Sequence, residues 1–175
     1  AQKKVSTTIA PTTRTEKDLL GEKQIPFDAY YGVQTARALE NFQVSGMKTN
    51  SYPDYVKAYA IVKLAAARAN AEDGRLSKEK LVAIEKACLA VMDGKYHDQF
   101  IVDLYQGGAG TSANMNSCEV IANIALEMSG HKKGEYQFIE PHDDLNMGQS
   151  TNDVYPTAIK VALILHNEKL IKEAE

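Results

Sequence analysis

Two short runs constrain this chain most. Gly107-Gly-Ala-Gly-Thr111-Ser112-Ala-Asn114-Met-Asn116 and Gln149-Ser150-Thr151-Asn152-Asp153 each set small hydroxyl and amide residues directly ahead of a strongly helical pattern. A helix start leaves about four backbone N–H groups without intrahelical partners and carries partial positive charge, which suits an anion. Hydroxyls and amides add aimed hydrogen bonds, and glycines let backbone approach a ligand closely. Two such starts in one domain can hold one carboxylate from two sides. The pattern points to a small acidic substrate.

The rest of the chain reads as helices. Tyr55, Tyr59, Val62 and Ala66 recur at helical spacing over Asp54 to Glu72, with Pro53 near the start and Asp73-Gly74 at the end. Ser77 is placed to cap a next helix whose apolar face is Leu81, Ile84, Cys88 and Val91, with Gly94 as its stop. Phe100 to Tyr105 predicts a short strand or extended segment, followed by the glycine loop and a helix to about Ser129, ended by Gly130. His131 to Gly148 is polar and irregular, with one extended stretch around Tyr136 to Ile139. A last helix begins somewhere in 151–156. Pro156 is tolerated there because first-turn N–H groups have no intrahelical partner. Ile159, Ala162, Leu163 and Leu170 cover more than one face of it, which predicts burial on several sides. The helix reaches Glu175 without a stop signal, as expected for a piece of a longer protein, and a domain boundary is expected near 149. Residues 14–50 carry turn signals and no sustained period, which predicts loops and short helix. Ala1 to Thr13, rich in Ser and Thr, reads as a flexible tail, with a transit-peptide remnant as the alternative.

Each motif also has a plainer reading. The glycine run fits a dinucleotide fingerprint in part, but Thr111 and Ser112 are too polar for that helix start and no βα repeats accompany it. No Lys follows the glycines, so a phosphate-binding P-loop is excluded. A structural turn with helix caps and a carboxylate cradle both remain. Ser150 to Asp153 could be an overbuilt cap, yet one cap needs only one of the four residues. Asp153 reads as cap or structural. His142, beside Asp143 and Asp144, is either a metal or acid/base cluster or part of a solvated polar loop; the loop is favoured. Arg14 with Glu16 and Asp18 reads as either a structural ion pair or a site residue, the ion pair being favoured, and Met115, Met128 and Met147 read as core packing.

A net charge of −3, with no basic run interleaved with aromatics, argues against a nucleic-acid partner. No apolar stretch approaches the roughly 18–20 residues of a membrane span. Cys88 and Cys118 lack metal-type spacing, so buried free thiols in a reducing compartment are expected, and no metal site is expected. No secretory signal is present, and the expected location is the cytoplasm.

The chain resembles the aspartase/fumarase superfamily, and within it the aspartate ammonia-lyases. Gly-Gly-Ala-Gly-Thr111-Ser112-x-Asn114-Met-Asn116 and Gln149-Ser-Thr-Asn-Asp-x-Tyr155-Pro156-Thr157 carry the resemblance. Arg14-x-Glu16-x-Asp18-Leu-Leu-Gly21, Asp28-Ala-Tyr30-Tyr31-Gly32-Val-Gln34-Thr35-x-Arg37, Asn41-Phe42 and Gly134-Glu-Tyr136 agree, in order, to the end of the chain. Fumarate hydratases usually read Ser-Ser-Asn-Asp where Ser150-Thr151-Asn152-Asp153 stands. They also carry His-Pro-Asn-Asp, part of a secondary dicarboxylate site, where this chain has Glu140-Pro-His142-Asp143, so a second site is not expected.

The resemblance implies a mainly α fold: the family's N-terminal helical domain with short extended segments over 14–149, then the start of a long central-bundle helix over 150–175. It implies reversible elimination of ammonia from L-aspartate to give fumarate, through an aci-carboxylate and without an organic cofactor. An activating divalent cation is left open. Thr111, Ser150 and Thr151, with Ser112 nearby, are implied for the β-carboxylate and Asn152 for the amino group. Family members are longer homotetramers in which three subunits build each site, and their base is a serine in a Gly-Ser-Ser-x-Met-Pro loop. No Ser-Ser pair occurs here, so no catalytic residue is expected in these 175 residues, and the chain alone is expected to be inactive. The alternatives are a fumarate hydratase piece and a non-catalytic helical interaction module.

Overall fold

A computed structural model describes residues 12–174. The helix at its centre, α4 (Thr111–Met128), is buried along the whole of residues 113–126. Around it stand α1 (Val33–Asn41), α2 (Pro53–Glu72), α3 (Lys78–Met92) and α5 (Thr151–Ala174), preceded by the antiparallel hairpin β1 (Thr13–Asp18) and β2 (Gly21–Pro26). The fold is mainly α with a short sheet.

Val56, Ala60 and Leu64 of α2, Ile84, Cys88 and Val91 of α3, and Cys118, Ile121 and Leu126 of α4 share one apolar core. Each fully buried aliphatic side chain of this kind contributes about 1.5–3 kcal/mol. A second core joins Tyr55, Ala58 and Tyr59 of α2 to Ala113 of α4 and to Val154 and Ala158 of α5. Helix α5 is therefore docked through its first three turns, Ile159, Val161 and Ala162 packing half-buried against the same core. Further along, Leu163, Ile164, Leu170 and Ile171 are exposed, so the burial expected on several sides is not provided by the described residues. Asp54 at the start of α2 holds the outer part of α5 through Lys169 and His166.

Burying α4 on every side also buries polar groups. An unpaired one costs about 1–3 kcal/mol, so partners decide whether this helix is tolerated. Asn116 takes the Ile101 N–H on its oxygen and donates to the Gln99 carbonyl. Asn123 donates to the Tyr30 carbonyl and accepts from the Gly134 N–H. Glu119 accepts the N–H groups of Gly32, Gln34 and Thr35 at 2.8–3.0 Å, capping the start of α1 from outside. Irregular segments are thus tied to a rigid helix by its own polar side chains.

Burial pushes the Glu119 carboxyl up to about 7, although the three backbone N–H groups pull it down. Its folded pKa lies above its ordinary value of 4.5, so the stability it contributes is complete below pH 4.5 and is lost as pH rises through 7. Over that window we expect a loss of about 3 kcal/mol attributable to this group. Denaturant midpoints of the wild type and Glu119→Gln, followed from pH 4.5 to 8, read it as a difference; parallel curves would exclude it.

Ser77 caps α3 by accepting the Lys80 N–H, and Gly94 and Gly130 follow α3 and α4, all as expected. Several expectations need correction. Residues 14–50 hold a β-hairpin rather than loop and short helix alone, since the Leu19-Leu20 turn is closed by the Asp18 carboxylate accepting the Leu20 N–H. Phe100 to Tyr105 forms no strand beyond one bridge, Lys48 with Asp103, and Tyr136 to Ile139 is a set of turns. Met128 is exposed at the end of α4, whereas Met115 is buried and Met147 half-buried. Pro156 lies in the second turn of α5, inside the helix, where it leaves the Asn152 carbonyl without its usual N–H. The tail expected over 1–13 falls outside the described residues up to residue 11, and Thr13 already belongs to β1.

Cys88 and Cys118 are buried free thiols. Burial pushes the Cys88 thiol up to about 12, so it stays protonated and unreactive. No described helix is long and apolar enough to cross a membrane.

Candidate active site at the junction of two helix starts

The starts of α4 and α5 meet. Gly110, just before α4, has a left-handed backbone (φ +84°) and lies directly against the Tyr155 ring of α5. Asn114, in the first turns of α4, donates from Nδ2 to Thr151 Oγ1 at 3.3 Å. Gln106 reaches across the glycine loop, its Oε1 accepting the Ala113 N–H at 2.7 Å, so a side chain from the loop fills one of the open N–H groups of α4. Ser150 caps α5 by accepting the Asn152 N–H at 3.2 Å. Both runs are helix starts, as their residues predict.

The candidate residues divide between two hollows. Thr111 and Ser112 open on a cleft of about 360 Å³ that also meets Gln34, Arg37, Asn41 and Phe42. Arg37 is gripped there by Asp18, Nε to Oδ2 and Nη2 to Oδ1 at 2.8 Å each, and this pairing holds the Asp18 carboxyl below its ordinary range. Ser150 opens instead on a hollow of about 690 Å³ with His142, Asp143, Asn146 and Asp153. Thr151 is half-buried, and Asn152 is exposed. The structure therefore brings Thr151 to the first turns of α4, but one chain does not gather Thr111 and Ser150 into a single pocket.

Beneath this junction lies a partly buried polar cluster that the sequence reading missed. Lys63 of α2 is fully buried, and its Nζ donates to Asn146 Oδ1 at 3.0 Å and Gln149 Oε1 at 3.1 Å. The same Asn146 oxygen accepts from Asn114 Nδ2 at 3.0 Å. A signal was present: Tyr59, Lys63, Ala67 and Asn70 share one face of α2, so a lysine stood on the side that must face the core.

Other candidates are peripheral. His142 is exposed and bonded to Asp143, in a polar loop as expected. Glu140, His142 and Asp143 bring three ligand-type atoms within 4.8 Å of one another, two of these residues being exposed. Arg14 and Glu16 form a buried ion pair, with Arg14 also donating to the carbonyls of Ala29 and Tyr31, a structural role.

Comparison with known proteins gives this geometry a context. A family model described as "Lyase" matches residues 21–175. The chain is 56% identical over 162 residues to the aspartate ammonia-lyase of Pseudomonas canavaninivorans, covering 93% of this chain and 34% of that protein. It is 52% identical over 159 residues to that of Escherichia coli, covering 90% of this chain and 33% of the other. Among solved structures, a "fumarate lyase:delta crystallin" from Brucella melitensis matches with a TM-score of 0.86 at 56% identity, over 87% of this chain and 34% of that one. A class II fumarase from Schistosoma mansoni matches with a TM-score of 0.80 at 37% identity, over 86% and 32%. The chain spans about a third of the length of the curated relatives it matches. With the family model covering most of its length and both helix starts in place, the chain belongs to the lyase family that contains the aspartate ammonia-lyases.

Proposed function

We propose that this chain is the N-terminal part of an enzyme that reversibly eliminates ammonia from L-aspartate to give fumarate. The observation that carries the reading is the junction of α4 and α5, where hydroxyl and amide groups cluster at two helix starts. A proton leaves the carbon next to the β-carboxylate, which becomes a doubly negative aci-carboxylate. The Cα–N bond then breaks, the electron pair leaves with nitrogen, and the double bond of fumarate forms. Charge builds on the β-carboxylate before the C–N bond breaks, so prearranged hydroxyl and N–H donors aimed there accelerate the first step. Thr111, Ser150 and Thr151, with Ser112 nearby, are assigned to that carboxylate and Asn152 to the amino group.

Thr111 and Ser150 open on different hollows, which fits a site completed by neighbouring subunits of a homotetramer. The exposed apolar residues of α5 fit a helix that continues into a central bundle, with 14–149 as the N-terminal domain and 150–175 as the bundle's beginning. The base is supplied from outside these 175 residues, so the chain alone is expected to bind dicarboxylates weakly and not turn them over. No organic cofactor takes part.

The likeness to a class II fumarase supports a second reading, hydration of fumarate. Feeding the complete enzyme fumarate with and without ammonia separates the two. Aspartate formed only when ammonia is present supports the ammonia-lyase. Malate in both, with no aspartate, overturns it in favour of the hydratase. Repeating the assay with a chelator reads any dependence on a divalent cation.

A further inference from the structure

The partly buried cluster under the junction has a fixed polarity, and that polarity reaches Thr151. Lys63 Nζ has only hydrogens to offer, so the Asn146 amide must turn its oxygen toward it. The other end of Asn146 agrees: its Nδ2 donates to the Gln149 carbonyl at 3.1 Å, and a carbonyl can only accept. With the Asn146 oxygen thus placed, the neighbouring amide of Asn114 must present its nitrogen, at 3.0 Å. That nitrogen has a second hydrogen, which goes to Thr151 Oγ1. The Thr151 oxygen is therefore an acceptor on its buried side, and its own proton is directed away from the cluster.

We propose that Asn114 is a positioning residue: through this Lys63–Asn146–Asn114 chain it sets the Thr151 hydroxyl as a donor toward the substrate's carboxylate. The inference rests on the functional reading above. A second observation supports it. Asn114 is fully buried, yet its Oδ1 has no hydrogen-bond partner among the described residues, a state that costs about 1–3 kcal/mol. The orientation is imposed by what the amide nitrogen must do, at the expense of its oxygen. Without this constraint a threonine hydroxyl rotates freely among donor and acceptor roles. With it, the donor meets the developing charge without reorganisation.

The experiment compares Asn114→Asp and Asn114→Leu in the complete enzyme, each alone and combined with Thr151→Val, with melting temperatures recorded for all. The carboxylate of Asn114→Asp has the shape of the amide but accepts where the amide donated, so it turns the Thr151 proton inward. We expect kcat for aspartate to fall about 100-fold, on the scale of one lost oxyanion donor, with KM changed less than about threefold. Asn114→Leu, the poorer fit but with no reversed polarity, is expected to lose only about tenfold. A packing role predicts the opposite order. In the Thr151→Val background both changes are expected to cost less than about threefold further, because the hydroxyl they act through is gone. Losses that multiply with Thr151→Val, or Asn114→Asp retaining wild-type kcat, overturn the proposal. If Asn114→Asp does not fold, the Asn114→Leu pair decides by the same criterion. A wild-type enzyme inert toward aspartate and fumarate overturns the functional reading instead, and the positioning role falls with it.

Discussion

Thr151→Val in the complete enzyme is expected to lower turnover about a hundredfold or more, the cost of losing one prearranged donor to a developing oxyanion. That corresponds to about 2.7 kcal/mol of transition-state stabilisation. The substitution preserves shape, so the substrate still fits and the effect should fall on kcat rather than KM. It also removes the acceptor of the Asn114 amide hydrogen, at a fully buried position. A buried donor left without a partner costs about 1–3 kcal/mol, so the melting temperature should fall as well. Assaying well below that temperature keeps the two effects apart. Turnover within threefold of wild type, with substrate saturating, would remove Thr151 from the carboxylate site.

Gly110→Ala should cost stability on a similar scale by a different route. The backbone there is left-handed, which an L side chain occupies at about 1–2 kcal/mol. The added methyl would also overlap the Tyr155 ring, and overpacking of that kind costs about 1–3 kcal/mol. Together we expect about 2–5 kcal/mol. Gly130→Ala is the matched control: its φ of +83° is nearly the same, but a methyl there meets nothing within 4 Å. It should show only the backbone part. Denaturant midpoints of the two variants read the difference, and equal losses would mean that α4 and α5 yield to each other at no cost. Because the Tyr155 ring must move, the α5 start should shift with it, and Thr151 would lose its place beside Asn114.

How far the sequence foretold all this depended on whether a signal was local. Helices α2, α3 and α4 were readable because their apolar spacing, the Ser77 cap and the glycines after α3 and α4 lie within a turn or two of what they determine. The hairpin was not readable. Its strands are polar, with only Glu16 and Ile25 buried, and its turn is Leu19-Leu20, exposed and without Asn-Gly or Asp-Gly. Likewise the two helix starts announced themselves, but not that Thr111 and Ser150 would open on separate hollows. That depends on how α4 and α5 cross, which packing against α2 decides. Lys63 and Asn146 are 83 positions apart, and no pattern within one helix could pair them.

The complete burial of α4 has a dynamic consequence. Backbone amides of Val120 to Ala125 have no route to solvent through fraying, since α2, α3 and the segments held by Asn116, Glu119 and Asn123 cover them. Their deuterium exchange should follow global unfolding, while the outer turns of α5, covered on one side only, exchange through local opening. Thr111 and Ser112 would then project from the slowest-exchanging element of the chain, whereas Ser150 and Thr151 ride on a helix packed on one face only, through its first three turns and the Asp54 ion pairs. Any adjustment of the site on the microsecond-to-millisecond scale is thus expected on the α5 side, with α4 as the fixed wall.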